Sequence, residues 1–409
     1  MDASRPERRA WLVVSASFVT LGLAYGVWYS YSVFLVALLR EFGWSRALVA
    51  GAFSVFVLVH GVAGLPLGWL ADRLGPRRLI LAGGGVLALG LVLASGVSRW
   101  WHLYLTFGVV TALGVSASGW VPSVLLIQRW FPARVGTAMG VASAGIGMGI
   151  FGMGPLSQFL IEQMGWRWAL RVLAALALAL VVPSALWLLR EPGPERQRAG
   201  LSAGSLEAAE RQWTLAGALR SPRFWGLGGV LFAGSFTSQI LLVHQVAYFV
   251  DHGVAPLVAA SVVGVVGLAS IAGKAGWGWL SDLIGREPTF ALGFTFVVLS
   301  LGLLGLFAVS PHPSLPFLYG VLIGVGYAVT APLMPAIASD LFRGRHFGTI
   351  FGTLNLPNSF GGATGAWAGG WIFDVTGGYA WSLGAALVSA VGAPLLLWLV
   401  APRRPNPPP

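Results

Sequence analysis

The stretch G-W-L-A-D-R-L-G-P-R-R runs from Gly68 to Arg78, and G-W-L-S-D-L-I-G-R runs from Gly278 to Arg286, an offset of 210 residues. A second echo keeps nearly the same spacing: R-V-G-T-A-M-G from Arg134 to Gly140 returns as H-F-G-T-I-F-G from His346 to Gly352, offset by 212. The chain is therefore written twice. Each copy is too apolar to be a soluble repeat, because hydrophobic residues make up 56% of the sequence, charged residues only 10%, and mean hydropathy is +0.78. Two like halves in a membrane protein place a binding site between them, near the bilayer midplane.

Working outward from the repeat, apolar runs long enough to cross a bilayer, about 20 residues each, fall at 11–39, 47–70, 79–97, 102–128, 135–160 and 168–189. Six more fall at 224–250, 255–280, 289–309, 316–341, 347–372 and 380–401. The expected organisation is an all-α membrane protein of twelve spans: a six-helix bundle over 1–189, a linker over 190–222 with a short helix at about 203–220, and a second six-helix bundle over 223–409. An even number of spans puts both termini on one side. Nineteen arginines lie on that side and five (Arg40, Arg46, Arg99, Arg167 and Arg171) on the other, so the positive-inside rule predicts cytoplasmic termini in a cell membrane. Trp11, Trp44, Trp100, Trp101, Trp130, Trp166, Trp168, Trp225 and Trp381 stand at run ends, where indole anchors to the interface. The net charge of +11 is that of loops facing anionic lipid rather than of a nucleic-acid binder. With no cysteine, no H-E-x-x-H and no phosphate loop, the sequence offers no metal site, no cofactor site and no covalent catalyst, and an enzyme is not expected.

One charge breaks the pattern. Lys274 is the only lysine, and it lies inside the otherwise apolar stretch from Pro256 to Leu280, whereas the arginines gather near run ends. An ionisable group at membrane depth is costly and marks a substrate or ion site. Lys274 precedes Asp282 by eight residues, roughly 12 Å of helix rise, too far for the side chain to reach the headgroups in full. Its counterpart in the first half is Gly64, so the repeat itself does not demand the charge.

The Gly68–Arg78 stretch resembles the loop signature between the second and third helices of the major facilitator superfamily. That resemblance implies twelve helices in two bundles, alternating access, and a cytoplasmic gate carried here by Gly68, Asp72, Arg73, Gly75 and Arg134, with Gly278, Asp282 and Arg286 in the second half. A narrower resemblance lies in W-F-P-A-R-V-G-T-A-M-G-V-A-S-A-G (Trp130 to Gly145), F-G-W-S-R-A (Phe42 to Ala47) and D-L-F-R-G-R-H-F-G-T-I-F-G (Asp340 to Gly352). These are similar to the monocarboxylate transporters and the bacterial oxalate:formate antiporter group. The eighth-helix Arg that receives the substrate carboxylate in monocarboxylate transporters matches Lys274. The Asp one turn earlier falls on Ser270, which leaves the proton-coupling carboxylate of that family without a counterpart.

The resemblance implies a secondary carrier for a small monocarboxylate such as lactate or pyruvate, moved with a proton, with a monomer as the transport unit. Tyr25 and Tyr29 match cavity-facing positions of that family. Asn355 and Asn358, one turn apart beside Pro357, together with Tyr327 and Gln239, are further candidate substrate contacts, and Ser116 and Ser118 weaker ones. Lys274, His244 and Asp251 are the candidate proton carriers. An oxalate:formate exchanger would be expected to carry a second cation in the eleventh helix, and a drug:proton antiporter a buried carboxylate; the sequence has neither.

Overall fold

The structure is a computed structural model that describes residues 4–131, 135–189, 213–342 and 347–400. Among these, every regular element is helical. Ten stretches are long and apolar enough to cross a bilayer. One of them, Ala138–Leu188, turns sharply at Gly165, whose φ of 80° is open to glycine at little cost, and so makes two crossings. The 30-residue helix Phe347–Thr376 completes the set, although its amides and hydroxyls dilute its apolar character. The twelve crossings form two six-helix halves. The first comprises α1 (Ser4–Phe42), α2 (Arg46–Leu74), α3 (Pro76–Ser95), α4 (Trp100–Trp130), α5 (135–164) and α6 (166–188). The second comprises α7 (Pro222–Asp251), α8 (Pro256–Ile284), α9 (Arg286–Val309), α10 (Leu315–Leu341), α11 (Phe347–Thr376) and α12 (Ala380–Val400). The expected linker helix is met only by the single turn Leu215–Leu219, since 190–212 lie outside the described residues.

α4 and α10 are interrupted at matching places. α4 contains a π-helical stretch, Tyr104–Thr111, and then breaks at Gly119 (ψ −132°), while α10 breaks between Tyr327 and Thr330. Pro122 and Pro332, themselves 210 residues apart, follow the two breaks, and each removes one backbone donor from its helix. Interrupted helices at membrane depth survive where they border a cavity or are buried in protein.

The halves meet along two seams, α2 against α11 and α5 against α8. Both seams are tight toward the end of the bundle that carries Arg46. A Cβ on Gly267 of α8 would stand 2.6 Å from the Gly147 carbonyl of α5, and one on Gly370 of α11 would stand 2.7 Å from the backbone of Arg46 and Ala47. Only backbone-to-backbone packing of this kind, with glycine at the contact, lets membrane helices approach so closely. Toward the end that carries Asp282 the α2 glycines have fewer such neighbours among the described residues. Gly61, Gly64 and Gly68 share one face of α2; a Cβ at Gly61 would strike Ser359 of α11, whereas one at Gly64 would touch nothing and one at Gly68 only Val121, at 3.9 Å.

Two of the tryptophans expected at the lipid interface pack inside instead. Trp130 and Trp166 are buried, and Trp166 donates its indole N–H to Glu41, which also pairs with Arg167. Trp11, Trp100, Trp101, Trp168, Trp225 and Trp381 are exposed along the bundle, as an anchor requires.

Candidate functional site

Gly267, Ile271, Lys274 and Gly278 follow one another along a single face of α8. Gly267 and Ile271 press on Gly147 of α5, and Gly278 meets only Pro332, at 3.8 Å. Lys274 therefore lies on the face of α8 that meets α5, one turn beyond the Ile271 contact with Gly147. Its repeat counterpart Gly64 holds the equivalent place on α2. The Lys274 side chain is partly buried, and among the described residues its ammonium has neither a hydrogen-bond acceptor nor a carboxylate. A desolvated cation without a partner is costly.

The polar groups beside it belong to both halves. Tyr327, at the break in α10, directs its hydroxyl toward Tyr29 of α1 and toward Ser270, one turn before Lys274. None of these approaches closes to a hydrogen bond: Tyr327 Oη is buried and unpaired, and the Ser270 hydroxyl donates to Gly267 O at 2.8 Å. Tyr29 continues into an aromatic wall through Trp28, with ring centroids 6.2 Å apart, and Trp28 meets Tyr25 at 5.7 Å and His60 at 4.8 Å. His60 Nδ1 lies 2.8 Å from Ser116 Oγ, and that hydroxyl donates to Ala112 O. The Ser116 hydrogen being committed, His60 donates from Nδ1 and keeps the lone pair of Nε2 free. Ser118 is spent within α4, donating to Gly114 O.

The remaining candidates divide. The Gln239 carbonyl oxygen is buried and unpaired beside Gly362 of α11. Asn355 uses its amide within its own helix, donating to Phe351 O at 3.2 Å, while Asn358 makes no hydrogen bond among the described residues. The cluster around Lys274 thus joins Tyr29, Tyr327 and Ser270, with Tyr25 further along the same wall. His244 and Asp251 are not part of it.

Those two belong to a separate cluster at the Arg46 end. Arg46, first residue of α2, pairs with Asp251 at the end of α7 (2.6 Å), lies over the Phe373 ring (3.8 Å) and donates to the Tyr379 hydroxyl (2.6 Å). The backbone N–H groups of Arg46 and Ala47 donate to the two carboxylate oxygens of Asp374, at 2.9 and 2.7 Å. A helix N-terminus leaves such donors free and favours an anion there, and here the anion comes from the other half of the molecule. His244, behind Tyr379, places Nδ1 3.3 Å from its hydroxyl and Nε2 2.8 Å from Ala366 O. Reading the sequence singles out neither Asp374 nor Tyr379, and it reaches Arg46 only in the arginine count and the Phe42–Ala47 motif.

At the Asp282 end one arginine gathers two carboxylates of its own half. Arg286 pairs with Asp282 at 2.9 Å and lies 3.6 Å from Asp340 at the end of α10, and it also donates to Ser281. Arg73 lies over the Trp69 ring, within α2. The Asp72 side chain and Arg134 are outside the described residues.

Comparison with known proteins agrees with this architecture. The sequence profile described as the Major Facilitator Superfamily matches residues 17–273 and 245–409. Monocarboxylate transporter 13 of Rattus norvegicus is 31% identical over 399 residues, covering 95% of this chain and 88% of that protein. Its Bos taurus namesake is 30% identical, with 95% and 89% covered. The uncharacterized MFS-type transporter YhjX of Escherichia coli K12 is 27% identical, covering 88% of each chain.

Proposed function

The chain belongs to the major facilitator superfamily, and from that premise we propose that it carries a small monocarboxylate together with a proton across a cell membrane. Lys274 receives the carboxylate, and no cofactor takes part. The observation that carries this reading is the ammonium on the α8 face turned toward the first half, unpartnered among the described residues. A carboxylate supplies what the site lacks: a charge-assisted hydrogen bond to Nζ, with the hydroxyls of Tyr29 and Tyr327 placed for a second polar group. The names of the mammalian relatives agree with a monocarboxylate.

Coupling follows from linkage. A carboxylate within reach favours the ammonium over the free amine, so proton and anion each strengthen the binding of the other by the same factor. The loaded pair is neutral and crosses the low-dielectric region at less cost than either ion alone. On this reading a monomer is the transport unit. The Arg46 end faces outward, the Asp282 end and both termini face the cytoplasm, and the seams describe a state closed outside. The Asp282–Arg286–Asp340 group then clamps the α8–α9 turn to α10 and moves with its half. It becomes part of a cytoplasmic gate when the Gly68–Arg78 turn swings against it.

The test is net uptake of radiolabelled lactate, pyruvate, formate and oxalate into proteoliposomes that contain none of them, with external pH recorded under weak buffering. The reading requires uptake of a monocarboxylate, with alkalinisation outside that tracks uptake and persists when a permeant counter-ion clamps the potential. Uptake with no pH change would mean that the anion moves without a proton and would refute the coupling. The absence of uptake for every monocarboxylate, beside uptake of oxalate, would refute the substrate class.

A further inference from the structure

We infer that the Arg46 cluster is a proton-controlled latch, in which His244 is the proton-binding site and the halves close at the Arg46 end only while His244 is neutral. The inference rests on the orientation of one hydrogen-bond chain. Arg46 can only donate, so the Tyr379 oxygen accepts from it. Burial pushes the Tyr379 phenol above its ordinary value, against the pull of Arg46, so its proton stays in place and is available to His244 Nδ1. His244 Nε2 faces the Ala366 carbonyl, which can only accept, so Nε2 carries the ring hydrogen and Nδ1 holds the lone pair. The chain runs one way, from guanidinium to phenol to imidazole to carbonyl, and it is complete with a neutral ring.

A proton added at Nδ1 reverses the middle link. The imidazolium then donates toward the same phenol oxygen that Arg46 occupies, and two cations converge on it. His244, Ala366 and Tyr379 belong to the second half, whereas Arg46 belongs to the first, so repulsion is relieved by parting the halves. The other titratable groups around the cluster are Asp251 on α7, Asp374 on α11, and Tyr248 and His252 on the outer turns of α7. Asp251 pairs with the Arg46 guanidinium and Asp374 accepts from the backbone N–H groups of Arg46 and Ala47, so the hydrogen bonds of both carboxylates go to the first half. The sign is fixed by linkage: the state open at the Arg46 end binds the proton more strongly, so acid favours opening. In a carrier that takes its proton from outside, such a latch shuts only after the proton has left His244 for the interior. That last step rests on the proposed proton coupling. The latch itself does not.

The natural chain has no cysteine, so spin labels can be placed only where wanted. Arg99→Cys and Val375→Cys, exposed near the Arg46 end on opposite halves, report separation of the halves as an electron–electron distance in nanodiscs without substrate. From pH 8 to pH 4 the distribution should pass from short to long. His244→Gln keeps a donor for Ala366 O and an acceptor for Tyr379 but takes no proton, and should stay short across the titration. Tyr379→Phe removes the shared oxygen and should also lose the acid response, with His244 intact. Helical circular dichroism and elution as a single species check that each variant is folded. An acid transition of unchanged midpoint and amplitude in His244→Gln would assign it to Asp251 or Asp374 and overturn the inference, as would wild-type protein that stays short at every pH. Because no substrate is present, these outcomes are independent of whether the cargo is a monocarboxylate.

Discussion

The two ends of the bundle carry similar charged residues and use them differently. At the Asp282 end Arg286 bonds Asp282 and faces Asp340, all within the second half. At the Arg46 end the arginine belongs to one half, while its partners Asp251, Asp374 and Tyr379 belong to the other. Pairs inside a half survive a relative swing of the halves, and pairs between halves must break for it. The structure thus shows the Arg46 end cross-linked between the halves. Lys274 lies between the two ends.

The comparison can be broken at four places. The largest effect is expected between the two ends: Lys274→Gln should lower carboxylate uptake by at least about 100-fold, the scale of losing a charge-assisted contact worth roughly 3 kcal/mol. Lys274→Arg should retain binding and lose proton linkage, because guanidinium does not release its proton. Radiotracer uptake at matched membrane expression, with pH recording, decides both. Next, Gly267→Val places a branched side chain against the Gly147 carbonyl. It should hold the Arg46 end apart, seen as a shift of the 99–375 label pair to long distances at neutral pH and a severalfold loss of turnover. Asp374→Asn removes the charge on the α2 N-terminus. With the group exposed at the surface, the expected bias toward opening is roughly 1–2 kcal/mol, about five- to thirtyfold in the open-to-closed ratio, read from the same labels. The smallest effect belongs to Asp282→Asn. It breaks one exposed pair inside a half, worth about 0–1 kcal/mol, and should leave the label distances unchanged. A large shift there would mean that the Asp282 end also governs closure in this state.

Much of the fold was legible because its causes are local or repeated. Run length and apolar content mark each span, and the Gly68–Arg78 echo at Gly278–Arg286 marks the two halves. The crossing Phe347–Thr376 was read as the apolar run 347–372, and the echo at His346–Gly352 supports it. The interruptions of α4 and α10 were missed, though Pro122 and Pro332 stood at the repeat spacing and were the available signal. Trp130 and Trp166 were misread as anchors because a run end in sequence can be a packed corner in space. His244 and Asp251, candidate proton carriers from the sequence, stand with Tyr379 and Arg46, a grouping that the sequence does not reveal.

The sequence by itself determined that this chain crosses a membrane as a duplicated bundle, and that Lys274 is its one cation away from the run ends. Hydrophobic burial and the cost of charge in lipid act residue by residue and need no partner to be read. Only the tertiary structure decided which groups share a site. Arg46 and Asp374 are 328 residues apart in the chain and within one hydrogen bond in space, and nothing in either neighbourhood of sequence specifies the other. Hydrogen bonds and ion pairs act over a few ångströms in a set direction. Their partners are therefore fixed by how the helices pack, and that packing is settled by both halves together.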